Sequence, residues 1–430
     1  MTAEHLRIEN VALARREDGT ASGQFAAWIN TAWEGFYHKP ATADQLEQML
    51  QSHEADARVL TGVYDDTRPA GLVDPLVPVA TFASFAKTLN AGAGLLPAHL
   101  VTLVTVRPTH RRRGILRELM TGDLTRAKAA GFPVAALTAT EATIYGRFGF
   151  GRVTEQQDLQ LDVRGDVRFH AAAVGSVVQV APEKLGDIAG TLFERFHETR
   201  RGSVGRQESY IRHATARWGD DGPEPDPKQR AAVYLDATGE VQGFVTYAFA
   251  GWDPKPVTLN VRDLVAATEV ARRELFRFLA AHDLVERVSY PFAAANDPLG
   301  WALEDAARIG YSERGHGLWV RVLDVPQAFA AREYRGTGNF TLRVEDPLDL
   351  ASGTYGFEVG DGLAVVTRLD DDAPATVSCD AVALGPLLLS AAGVAELHAA
   401  GLLRAEGPGE PERLGRLLDL PGLPHAINGF

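Results

Sequence analysis

The chain has 430 residues, 45% of them hydrophobic, with a formal net charge of −13 and one cysteine, Cys379. Its length allows two or three cores, the lone thiol excludes an internal disulfide or a thiolate cluster, and the acidic balance argues against nonspecific nucleic-acid binding while favouring cationic ligands. No run approaches membrane-spanning length and residues 1–10 lack an apolar h-region, so a cytoplasmic chain is expected.

In chain order, residues 25–36 carry apolar side chains at Phe25, Ala26, Ile29, Trp33 and Phe36, the stripe of a core-packed helix. Residues 42–50 read as a second helix with Thr42 as N-cap, and residues 59–64 and 79–85 as paired strands. The run Leu100-Val101-Thr102-Leu103-Val104-Thr105-Val106 is a buried strand that Pro108 ends. Arg111-Arg112-Arg113-Gly114 then opens a helix over residues 115–129, with Ile115, Leu116, Leu119, Met120 and Leu124 at helical spacing and Gly131 and Pro133 closing it. A helix start offers unpaired N–H groups and a positive dipole, so a pyrophosphate can be bound there by backbone, with the arginines adding charge-assisted bonds. Gly114 leaves room for close approach. The plainer reading of the same arginines is a solvated helix entrance. Residues 133–138 form another strand, and Thr140-Glu141-Ala142-Thr143-Ile144-Tyr145 leads into Gly146-Arg147-Phe148-Gly149-Phe150-Gly151.

From about residue 167 the pattern repeats without the basic turn. Residues 177–180 read as a strand, 185–195 as a helix, 231–235 and 242–250 as a hairpin around Gly239, 261–265 as a strand, 269–282 as a helix and 287–290 as a strand. No glycine or arginine cluster precedes the second of these helices, so no phosphate cradle is visible. Residues 220–228 are a Pro-rich charged surface loop. From about residue 316 short strands at 319–322, 340–344, 354–359 and 363–368 alternate with glycine turns, and residues 385–402 read as one apolar helix before the tail Ala426-Ile427-Asn428-Gly429-Phe430.

The strand, basic turn, helix, strand and tyrosine-bearing turn together resemble the GNAT acetyltransferases, whose signature turn reads Gln or Arg, two residues, Gly, one residue, then Gly or Ala. Leu116 departs at the last position. Val106 to Gly114 (VRPTHRRRG) and Ile144 to Gly151 (IYGRFGFG) resemble the characteristic runs of the Eis subfamily, as do the chain length, Gly317-Leu318-Trp319-Val320-Arg321-Val322 and the aromatic carboxy terminus. The resemblance implies a mixed α/β, α+β chain of two tandem GNAT-like domains, the second degenerate, and a sterol-carrier-like domain. The corresponding units are 1–166, 167–315 and 316–430. It also implies a homohexamer of two trimers.

Its chemistry would be N-acetylation of a primary amine by acetyl-CoA. Arg111, Arg112, Arg113, Gly114, Ile115, Leu116 and Arg117 would hold the pyrophosphate, the backbone of Val104, Thr105 and Val106 the pantetheine, and Thr140 and Glu141 the next strand end. The family's acid falls on Tyr145 and its base on the Phe430 carboxylate. A phenol near pKa 10 giving a proton to a thiolate near 8.5 works uphill by about 2 kcal/mol, whereas a terminal carboxylate taking one from an ammonium faces about 8 kcal/mol. Trp33, Glu34 and Leu103 are candidate substrate contacts. Family members acting on aminoglycosides carry Phe where this chain has Leu103 and an acid where it has Gly429, so aminoglycosides, polyamines and lysine side chains all stay open. The alternative is a noncatalytic acyl-CoA or lipid binder. The twelve histidines show no HExxH or paired ligand spacing, so no metal is expected.

Overall fold

A computed structural model describes residues 5–69, 71–139, 142–220, 222–405 and 407–430. The expected contacts Thr140 and Glu141 lie outside the described residues. The first part of the chain contains β1 (Leu6–Val11), α1 (Gly23–Gly35), α2 (Ala43–Ala55), β2 (Val59–Asp65), β3 (Ala80–Asn90), β4 (Leu95–Val106), α3 (Ile115–Ala129), β5 (Val134–Thr138), α4 (Ala142–Tyr145) and β6 (Gly151–Arg152). Next come β7 (Glu155–Asp162), β8 (Ser176–Val180), α5 (Gly186–Thr199), α6 (Ser209–Ala214), β9 (Arg230–Leu235), β10 (Val241–Phe249), β11 (Thr258–Ala266), α7 (Glu269–Ala280), β12 (Arg287–Ala294), α8 (Leu299–Ala302) and β13 (Ile309–His316). The last part holds β14 (Leu318–Val322), α9 (Val325–Ala330), β15 (Gly338–Glu345), β16 (Gly353–Gly360), β17 (Leu363–Leu369), β18 (Val377–Asp380), α10 (Ala381–Leu389), α11 (Val394–Ala399), β19 (Leu403–Ala405) and α12 (Glu410–Leu418).

Local chemistry sets many of these bounds. Thr42 caps α2 through a capping box with Gln45, and Ser22 caps α1 by accepting from Phe25 N. Gly114, at φ +85°, turns the chain into α3, and Gly239 closes the β9–β10 hairpin. The apolar helix expected over residues 385–402 is instead two helices. Ser390 adopts φ +47° and stops α10, and Gly393 starts α11 with Glu396 reaching back to its N–H. Unbroken hydrophobicity concealed that corner.

The strands form three sheets, ordered β1-β2-β3-β4-β5-β14-β6, β13-β7-β12-β11-β10-β9-β8 and β17-β16-β15-β18-β19. Two strands near the expected unit boundaries are exchanged. β7 precedes residue 166 and pairs with β12 and β13 in the second sheet, while β14 follows residue 315 and pairs with β5 and β6 in the first. Leu318, Val320, Arg321 and Val322 of β14 are all buried, as a strand covered on both faces requires.

The third sheet's layer shares a core with the lower part of the first, Leu100, Val134 and Val320 lying in one cluster with Phe357, Leu384 and Leu388. Contact there is at backbone distance. A Cβ at Gly151 would sit 2.1 Å from the Val382 carbonyl on α10, and one at Gly149 would sit 2.8 Å from the Arg321 guanidinium. These glycines of the Gly-Phe run are therefore seats for neighbouring elements. Arg321 in turn pairs with buried Asp346, tying the first sheet to the third.

Candidate functional site

The site grows from β4. Its parallel ladder with β5 covers Ala98, His99 and Leu100 opposite Val134, Ala135 and Ala136, and among the described residues no pairing follows. Past that point the two strands diverge. On its other edge β4 stays paired with β3, but the register slips between Thr81 and Ala83, and Leu103 takes a left-handed φ of +51°. Thr81 Oγ1 donates to the Leu103 carbonyl at 2.9 Å and lies 2.7 Å from Thr105 Oγ1, so the bulge is held by a buried hydroxyl. Val104, Thr105 and Val106 are half-buried along the opening, with backbone groups on the β5 side outside any ladder.

The opening leads to the start of α3. Arg111, Arg112, Arg113, Gly114 and Arg117 are exposed, Leu116 is half-buried and Ile115 anchors the helix in the core. Arg111 Nε donates to Val106 O at 3.3 Å and Arg113 Nη2 to Thr109 O at 3.0 Å, which folds two arginines onto their own loop. Among the described residues none of these four arginines pairs with a carboxylate, and a Cβ built at Gly114 meets nothing within 4 Å. Exposed arginines, a helix start and open space at Gly114 are features that can receive an anion. The loop is pinned from beneath by His110, whose Nε2 lies 2.9 Å from Asp65 Oδ2.

At the other end of the opening stands the tail. Thr138, the last residue of β5, donates from Oγ1 to a carboxyl oxygen of Phe430 at 2.7 Å and accepts from Phe430 N at 3.3 Å. The Phe430 ring meets Phe85 edge-on at 5.9 Å. Gly429 O accepts from Gln207 Nε2 at 3.0 Å and from the Tyr210 hydroxyl at 3.3 Å, and Gly429 N donates to that hydroxyl at 2.9 Å. Burial pushes the Tyr210 phenol up to about 12. Tyr145 ends α4 in the connection that follows Thr138, half-buried and edge-on to Phe150 at 6.3 Å.

The substrate candidates lie on α1. Glu34 is paired with Arg107 at 2.5 Å, and a Cβ at Gly35 would sit 2.5 Å from Thr105 Cγ2, so the end of α1 rests on the bulged part of β4. Trp33 is half-buried, 6.0 Å from the His38 ring, and faces Gly222 of the loop expected over residues 220–228. The sequence reading did not pick out Thr81, Arg107, Thr138, Gln207 or Tyr210. Only the Arg107 position, beside the basic run, carried any local signal.

A diverging β4–β5 pair opening onto an arginine-rich helix start is the layout of a GNAT acetyltransferase. Family models described as Acetyltransferase (GNAT) domain match residues 20–153 and 202–323, and one described as Sterol carrier protein domain matches residues 325–425. The chain is 34% identical to an uncharacterized N-acetyltransferase of Streptomyces avermitilis over 95% of this chain and 97% of that one. It is 33% identical to N-acetyltransferase Eis of Mycobacterium bovis BCG over 78% and 81% of the two chains. The crystal structure of Eis1 from Mycobacterium abscessus superposes with a TM-score of 0.78 at 25% identity, covering 99% of this chain and 100% of that one. The chain belongs to the Eis family of N-acetyltransferases and is an acyltransferase. Among the described residues no helix is long and apolar enough to cross a membrane, and no group of three potential metal ligands occurs.

Proposed function

We propose that the chain transfers acetyl from acetyl-CoA to a primary amine, with Tyr145 as general acid and the Phe430 carboxylate as base. The observation that carries this reading is the β4–β5 opening, which runs from the cradle at Gly114 to the Thr138–Phe430 contact. Acetyl-CoA, when bound, supplies an activated acyl thioester. The residues present suit it: Val104, Thr105 and Val106 lie past the end of the β5 ladder, and Arg111, Arg112, Arg113 and Arg117 with α3 amides would hold the pyrophosphate. On this reading residues 1–166 hold the donor, 167–315 are a degenerate copy, and 316–430 deliver the carboxylate.

Tyr145 holds the proton that the departing sulfur needs, a transfer uphill by about 2 kcal/mol from ordinary values. The Phe430 carboxylate accepts a hydrogen bond from Thr138, and from ordinary values a terminal carboxylate taking a proton from an ammonium faces about 8 kcal/mol. It therefore orients and stabilises the incoming ammonium and relays a proton through water rather than taking it unaided. Glu34, Trp33 and Leu103 would line the acceptor's approach, with the net charge of −13 drawing in a cation. The lone cysteine suits the reducing cytoplasm, and a hexamer of two trimers follows the family resemblance; light scattering would then read about six times the 46.4 kDa chain.

The test is release of CoA thiol with an aminoglycoside, spermidine, hexylamine and a lysine peptide. Turnover with at least one amine is expected. No turnover with any, while acetyl-CoA still binds, would favour the binder reading.

A further inference from the structure

The second sheet repeats the divergence of the first. Among the described residues β11 and β12 pair with each other in parallel only at Thr258–Asn260 opposite Arg287–Ser289; from there to Ala266 and Ala294 each keeps its outer neighbour, β10 or β7, and not the other. No phosphate cradle accompanies this second opening. The two-residue link into α7 ends at Thr268, whose Oγ1 accepts from Ala271 N, and Glu269 puts an acid in the first turn, paired with Arg200 at 2.7 Å. A negative group at the helix start opposes a phosphate.

The chain's own tail lies there instead. His425 Nε2 donates to the Phe292 carbonyl of β12 at 2.8 Å, beyond Ser289, the last residue of β12 that pairs with β11. Ile427 is buried in the cluster that contains Val265 of β11, Phe244 of β10 and Phe193 of α5. Gly429 is gripped at both its N–H and its C=O by Tyr210 and Gln207, at and before α6. Tyr210 is itself fixed, its ring 4.3 Å from the Arg206 guanidinium, which is bidentate to Asp263 of β11 at 2.8 and 2.7 Å. One residue further, Phe430 crosses to Thr138 of the first sheet.

We propose that the second GNAT-like unit works as a seat for residues 425–430, with Tyr210 and Gln207 as positioning residues that set the Phe430 carboxyl group on Thr138 at the head of the first unit's opening. The proposal rests on the reading that this carboxyl group takes part in proton transfer. It gives the degenerate unit a function: an opening that holds part of a ligand in the first unit holds part of the chain in the second. A carboxylate on a free tail would sample many positions, whereas one held on both sides reaches the acceptor in one geometry.

The variants Tyr210→Phe, Gln207→Leu, Thr138→Val and Thr138→Ser preserve shape, and Tyr210→Phe keeps the ring on Arg206. Amide hydrogen exchange over residues 425–430 is read together with kcat and the KM for acetyl-CoA. Expected are at least tenfold faster exchange and at least tenfold lower kcat in Tyr210→Phe and Thr138→Val, an acetyl-CoA KM within twofold, and recovery in Thr138→Ser. Removal of Phe430 is the companion. If it abolishes turnover while Tyr210→Phe leaves exchange and kcat unchanged, the seat is overturned and the carboxyl reading stands. If it leaves kcat unchanged, the carboxyl reading fails and the positioning role with it, even where exchange has risen.

Discussion

Tyr145 and Phe430 are 285 residues apart in the chain, and only the first sat in a run that could be read locally. In IYGRFGFG, Gly149 and Gly151 seat Arg321 and α10, and the half-buried tyrosine at the end of α4 is the run's candidate for chemistry. Tyr145→Phe removes one oxygen and keeps the contact with Phe150. We expect kcat to fall by about 10²–10³-fold with the acetyl-CoA dissociation constant unchanged; unaltered turnover under steady-state assay would exclude the acid role. Thr138 was not legible, because a strand-end threonine has no distinguishing pattern and its partner is 292 residues away. The three arginines were legible because charge, glycine and helix start are adjacent in sequence.

At the scale of elements, the decisive feature is the bend in β4. The sequence marks a strand over residues 100–106, and the structure extends it back to Leu95 through Pro97, a residue that hides a strand from pattern reading. Neither the left-handed Leu103 nor the register slip has a sequence signature, since leucine seldom adopts that conformation and does so here because Thr81 captures its carbonyl. Thr81→Val should strand that part-buried carbonyl and cost about 1–3 kcal/mol. Urea unfolding should report the loss, and the acetyl-CoA dissociation constant should rise several-fold as β4 straightens; a stable variant with ordinary affinity would show that the bulge does not shape the opening.

For the whole molecule, the exchange of β7 and β14 makes the sheets interdependent, and nothing local announces it. β14 reads as an ordinary hydrophobic strand, and its place between β5 and β6 is chosen by partners about 180 residues earlier. A fragment ending at residue 166 would lack β14 and leave β7 without partners. It should show no cooperative melt by circular dichroism and no acetyl-CoA binding, whereas an independently folding fragment would contradict the interlock. Acid should loosen the same assembly. Burial pushes His197 and His425, both at contacts of α5 with neighbouring segments, down to about 4, and His53 down to about 3. Unfolded histidines titrate near 6.5, so between about pH 6.5 and 4 the unfolded chain takes up protons the folded one refuses, and stability falls as pH falls. Urea midpoints should be lower at pH 5 than at pH 7; equal midpoints would mean these histidines are charged when folded.

The proposed function places acetyl-CoA between β4 and β5 with its pyrophosphate on the start of α3. Gly114 and Gly131 bracket α3, both at positive φ and both with open space where a Cβ would go. Valine at either position imposes the same backbone strain, of order 1–3 kcal/mol, but only Gly114→Val would intrude on a phosphate. Calorimetric titration of acetyl-CoA into the two variants should show binding weakened at least tenfold in Gly114→Val and unchanged in Gly131→Val. Equal affinities in both would place the cofactor elsewhere.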